Sequence, residues 1–142
     1  MFRKILVGYD GSKGARAALE RAAVIAQKFD AELTALWVRE PKPRHSDLPG
    51  EFEGEEEAAA EYFSERRREI EEIAKRYGVL IQSETQPGHA AKTILNYADK
   101  GGFDLIVVGH SDHSELWGRL LGDTADRITD HAHCSVLIVK YR

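Results

Sequence analysis

Residues Asp104–Lys140 read DLIVVGHSDHSELWGRLLGDTADRITDHAHCSVLIVK, and this stretch decides the fold. Leu105–Gly109 (LIVVG) is a short apolar, β-branched run, the mark of a strand buried on both faces. A Gly-bearing loop follows, then a helix from about Asp123 to His131, then a second buried strand over Val136–Val139. A loop that leaves a parallel strand for a helix is where α/β proteins place phosphates, because free backbone N–H groups and the helix dipole converge there. Here the loop also carries Asp112 and Asp123, whose carboxylates repel a phosphate.

Reading outward, Lys4–Gly8 (KILVG) is another buried strand, and Asp10-Gly11-Ser12 is a turn in which Ser12 or Asp10 can cap a helix. From Lys13 to Phe29 apolar residues recur at Ala15, Leu19, Ala22, Ala26 and Phe29, one buried helical stripe. Glu32–Val38 is a second strand. Residues 40–54 hold three of the four prolines and lose periodicity, which predicts a long loop. Glu55–Tyr77 reads as a helix with Tyr62, Phe63, Ile70, Ile73 and Tyr77 inward, stopped by Gly78. Val79–Thr85 is a half-polar third strand, and a helix over Ala90–Asp99 ends at Gly101-Gly102.

Strands alternating with helices predict one α/β domain over residues 1–142. Its parallel sheet has right-handed crossovers and helices on both faces. The ligand crevice then lies at the carboxyl ends of the strands, among Tyr9–Ser12, Val38–Gly54 and Gly109–Gly122. A chain of 142 residues with 42% apolar and 31% charged residues has the composition of a globular domain. Its net charge of −4 argues against nonspecific nucleic-acid binding. Arg66-Arg67-Arg68 read as a solvated helix face with acidic i,i+4 neighbours. No apolar run approaches a membrane span, the N-terminus lacks a signal-peptide h-region, and the single Cys134 excludes an internal disulfide. These features predict a cytoplasmic protein.

Three segments, KILVGYDGS, GGFDLIVVGH and GRLLGDTADRITDHAHCSVLIVK, in this order and spacing, resemble the universal stress protein family, and the resemblance covers essentially the whole chain. It implies a five-stranded sheet of order 3-2-1-4-5, flavodoxin-like or adenine-nucleotide-hydrolase-like. It also implies homodimers, often joined through the last strand. An SVLIV strand bare at a sheet edge gives a physical reason to pair Ser135–Val139 across a two-fold.

Nucleotide-binding members of that family carry Gly, two residues, Gly, nine residues, Gly, then Ser or Thr. Gly109 and Gly122 fit the first and third positions. Asp112 replaces the second glycine, and Asp123 stands where the hydroxyl residue belongs, with Thr124 one place later. The resemblance further implies that Asp10 contacts the ribose and Val38 the adenine of ATP or AMP, with Tyr9 and Val108 beside them. A carboxylate ~4 Å from a phosphate oxygen costs about 1–4 kcal/mol, up to roughly three decades in affinity. A Mg²⁺ between carboxylate and phosphate reverses that sign. Asp123 at the helix N-cap is expected to use the N–H groups that a phosphate would use. The expected ligand is therefore AMP or a Mg²⁺ complex rather than free ATP. The same carboxylates keep open a second reading, a dimeric interaction module that binds no nucleotide and acts through a protein partner.

His110, His113, His131 and His133 suggest a metal, but the helix-to-strand turn separates the pairs and neither supplies three ligands. Cys134 reads as an inert, buried thiol. Trp37 and Trp117 can stack on a base, or belong to core or interface. No nucleophile–base–orienter set and no GxxxxGK[ST] loop occur, so any ATP turnover or autophosphorylation is expected to be slow and incidental.

Overall fold

The computed structural model describes residues 1–40, 49–110 and 123–141. The elements are β1 (Lys4–Gly8), α1 (Lys13–Phe29), β2 (Glu32–Arg39), α2 (Pro49–Tyr77), β3 (Ile81–Pro87), α3 (Ala90–Gly101), β4 (Leu105–Gly109), α4 (Asp123–His131) and β5 (Ser135–Val139). All strand pairs are parallel and the order is β3-β2-β1-β4-β5, the arrangement that the alternation and the resemblance imply.

Period-two alternation along β1 feeds two cores. Ile5 and Val7 join a cluster with Ala18, Leu19 and Ala22 of α1 and Ile70 and Ile73 of α2. Leu6, between them, joins Ile106 of β4, Ile94 and Ala98 of α3, and Ile128 of α4. The helices thus cover both faces, α1 and α2 on one and α3 and α4 on the other. Central β4 is buried over Leu105–Val108, whereas β3 alternates between half-buried and exposed residues, as an edge strand does.

Several boundaries differ from the sequence reading, three of them for a visible reason. Helix α2 begins at Pro49, six residues before Glu55, so part of the expected 40–54 loop is helix. Proline is well suited to a first helical position, since its missing N–H is one that a helix leaves unbonded anyway. Strand β3 starts at Ile81 because Val79 serves the preceding helix. Gly78 adopts φ +66°. Its N–H bonds to Lys75 O at 3.3 Å, and the Val79 N–H bonds to Ala74 O at 3.0 Å, a Schellman closure. Helix α3 likewise runs on to Gly101. Gly102 at φ +69° and the Phe103 N–H, 3.0 Å from Ala98 O, close it the same way.

Candidate functional site

The carboxyl end of β1 breaks into a turn that the residues themselves shape. Asp10 Oδ1 accepts from the Ser12 N–H at 2.9 Å, and Gly11 takes φ +83°, which glycine adopts without a Cβ penalty. Ser12 Oγ then accepts from the Ala15 N–H at 3.1 Å and caps α1. Of the two candidate caps, Ser12 performs the role and Asp10 orders the turn before it.

Helix α1 meets the end of β4 backbone to backbone. A Cβ on Gly109 would stand 2.3 Å from Gly14 O, and a Cβ on Gly14 would stand 2.7 Å from His110 O. No side chain fits either place. Gly109, expected as a phosphate-loop glycine, therefore has a packing role as well. Gly14 is its counterpart, and nothing in its helical spacing marked it.

These approaches leave a cleft of about 510 Å³ at the carboxyl ends of β1, β2 and β4, within the range of small-molecule sites. Tyr9, Asp10, Val38, Val108, Gly109 and Thr124, all expected at the site, line it. Asp112 and Gly122 lie outside the described residues, as do His113 and Trp117. Asp123 is exposed in the first turn of α4, with Asp126 in the same turn, where carboxylates meet the positive end of a helix. Leu36, Ile94 and Ala90 supply apolar wall that the sequence reading did not assign.

Glu40 is a further lining residue that the sequence reading missed. Its Oε1 accepts from the Ala90 N–H at 3.1 Å and so occupies the N-terminus of α3, whose own cap residue, His89, makes no side-chain cap bond. Among the described lining residues the acidic side chains are those of Asp10 and Glu40, with His110 beside them. Backbone N–H groups and the hydroxyls of Ser12 and Thr124 are the polar donors beside them.

Tyr9 lines the cleft, but its hydroxyl is committed to helix α2. The residue is 2% exposed, and its OH donates to Glu69 Oε1 of α2 at 2.6 Å. Burial, then that bond and the Glu69 charge, raise the phenol well above its ordinary range. Glu69 Oε2 also pairs with Arg16 at 3.1 Å and with Arg66 at 2.9 Å. Arg66 is accordingly no part of a solvated face: its side chain is 14% exposed and lies 4.3 Å from the centroid of the Tyr62 ring. Trp37 does not turn to the cleft to meet a base. It packs on Tyr62 and Phe63, ring centroids 4.8 and 6.0 Å away.

Among the described residues no group of three or more His, Cys, Asp or Glu side chains is placed to hold a metal ion. His133 instead faces Asp99 at 3.2 Å. Burial and the charges of Asp99 and Asp104 raise the Cys134 thiol, which suits an unreactive thiol.

Fold and cleft together define a doubly wound α/β protein with its cleft at the reversal of strand order, between β1 and β4, where such folds hold their ligands. The family model for the universal stress protein family matches residues 1–140, and the chain belongs to that family. A universal stress protein of Methanocaldococcus jannaschii is 36% identical over 142 residues, covering 99% of this chain and 83% of its own. The structure of a universal stress protein from Lactobacillus plantarum superposes with a TM-score of 0.80 at 28% identity, over 97% of each chain. Two relatives solved with ligands share the fold. A universal stress protein in complex with cAMP has a TM-score of 0.71 at 24% identity, over 97% and 96% of the chains. An Arabidopsis thaliana family protein with AMP bound has 0.73 at 16%, over 99% and 92%. No described helix is long and apolar enough to cross a membrane.

Proposed function

We propose that this protein is a cytoplasmic stress-response regulator, one domain over residues 1–142, whose cleft binds an adenine nucleotide as signal or structural cofactor rather than as substrate. The observation that carries this reading is the convergence of Asp10, Val38, Gly109 and Thr124 on one cleft of about 510 Å³. The relatives solved with AMP and with cAMP support it. In this reading the base lies against the apolar wall of Val38, Leu36 and Ile94, and Asp10 accepts from the ribose. Gly109, Gly122 and Thr124 donate to phosphate. The carboxylates Asp10, Glu40, Asp112 and Asp123 make AMP, or ATP carrying Mg²⁺, a better ligand than free ATP. Two copies pair through Ser135–Val139 of β5, and the liganded dimer signals to a protein partner.

Calorimetric titration with AMP, and with ATP with and without Mg²⁺, tests the reading. Micromolar binding is expected, with free ATP the weakest. No heat up to millimolar ligand, in protein freed of co-purified nucleotide, would replace it with a nucleotide-independent dimer. The acidic lining of Asp10 and Glu40 is the observation that favours that second reading.

A further inference from the structure

Helix α2 lies on the opposite face of the sheet from α3 and α4, yet it grips the turn that forms one wall of the cleft. The Tyr62 hydroxyl donates to the main-chain oxygen of Asp10. Arg66 fills the space beside Gly11: a Cβ there would meet its Nη1 at 2.6 Å and its Cδ at 2.8 Å. Arg66 is in turn fixed by the Tyr62 ring and by Glu69. Its Nε is buried with no hydrogen-bond partner among the described residues, so ring stacking and the ion pair set its place. The Asx turn fixes the next peptide, Gly11–Ser12, and commits Asp10 Oδ1 to the Ser12 N–H. The carboxylate's second oxygen is left to meet a ligand, its place set by that turn.

We propose that Tyr62 and Arg66 are positioning residues for ligand selection. They hold the Asp10–Ser12 turn so that Asp10 meets the vicinal hydroxyls of a ribonucleoside. The proposal rests on the adenine-nucleotide reading of the cleft and adds to it a dependence on α2, none of whose described side chains lines the cleft. Preorganisation of this kind favours a ligand able to use the fixed group and leaves a ligand lacking the matching hydroxyls unaffected.

The test compares adenosine with 2′,3′-dideoxyadenosine by calorimetry on the full-length protein. In the wild type adenosine binds more tightly. Tyr62→Phe keeps the ring under Arg66 and removes only the hydroxyl. It is expected to weaken adenosine about fivefold, the size of one net hydrogen bond, and to leave dideoxyadenosine unchanged. Arg66→Gln is expected to give the same selective loss, and Asp10→Asn sets its limit. Equal weakening of both ligands, or of neither, would make α2 a structural brace only and overturn the proposal. If the wild type binds both equally, Asp10 does not read the ribose, and the proposal fails while the adenine pocket stands. If the wild type binds neither, the cleft reading fails and takes the proposal with it.

Discussion

The Tyr9 hydroxyl donates to Glu69 Oε1 at 2.6 Å, joining the end of the central strand β1 to the middle of α2, sixty residues away in sequence. The same carboxylate holds Arg16 of α1 and Arg66 of α2, so three elements meet on one side chain. Glu69→Ala leaves a buried phenol without its acceptor and two arginines without their partner. The expected loss is about 2 kcal/mol, most of it from the orphaned hydroxyl and the shielded Arg66, because the Arg16 pair reaches solvent. Tyr9→Phe is expected to cost about 1 kcal/mol alone and to recover stability in the Glu69→Ala background, where it removes the orphaned hydroxyl. Urea unfolding of the two single variants and the double variant measures this, and strict additivity would contradict it.

The same bond gives stability a dependence on alkaline pH. The folded state holds the Tyr9 proton above its ordinary pKa of 10.0. The unfolded chain releases it near that value and so binds fewer protons, and stability falls as pH rises. The contribution is whole below about pH 10 and fades above it. Wild type is therefore expected to exceed Tyr9→Phe by a constant margin near neutrality, and by a shrinking one above about pH 10. Burial also raises the Tyr97 phenol, but Tyr97 is common to both proteins and cancels in the comparison. A margin that holds steady through that range would show that Tyr9 ionises alike in both states.

Local pattern carried the reading of strands and helices furthest where burial is complete. The LIVVG run of β4 and the apolar stripe of α1 through Ala26 are each legible because a strand buried on both faces, or a helix buried on one, admits few residue types; Phe29, read into the same stripe, is exposed at the helix end. The sequence reading went astray where partners are distant. In the run Arg66-Arg67-Arg68 nothing local separates Arg66, tucked under Gly11, from Arg68, which is exposed. Glu40 looked like the start of a proline-rich loop, and only the fold brings it to the Ala90 N–H. Pro49 was read as a breaker although proline also begins helices. Asp10 and Val38 were legible through family resemblance, since neither residue type by itself announces a ligand.

Gly109 separates packing from binding. Its missing Cβ makes room for the Gly14 carbonyl at 2.3 Å, a backbone group that cannot rotate aside. Gly109→Ala must push α1 off β4, with an expected cost of about 3 kcal/mol. That loss is expected in the absence of any nucleotide, by thermal or urea unfolding. A variant of wild-type stability that fails only to bind ligand would assign the glycine to the phosphate alone.

Strand β5 pairs with β4 on one side and ends the sheet on the other, with Val136, Leu137 and Ile138 half-buried. Pairing of two such edges across a two-fold predicts a dimer at micromolar protein. A charge on the edge opposes that pairing. Leu137→Lys, whose long stem can still cover the core while its ammonium reaches water, is expected to sediment as a folded monomer. Wild-type protein that sediments as a monomer at high concentration would remove β5 as the interface.

Glu40 tests the electrostatics of the cleft without disturbing its shape. Its carboxylate occupies the helix N-terminus of α3, a place that otherwise favours an anion. Glu40→Gln keeps an oxygen for the Ala90 N–H and removes the negative charge. One fewer like charge in a solvent-open cleft is worth on the order of 1 kcal/mol at low salt. Free ATP is therefore expected to bind about fivefold more tightly to the variant. AMP should gain less and adenosine nothing, so the gain rises with ligand charge. Added salt should shrink these differences, because screening acts on the charge and not on the cap. Equal gains for adenosine and ATP would mean that Glu40 acts through the geometry of α3 and leaves charge selection to the other carboxylates.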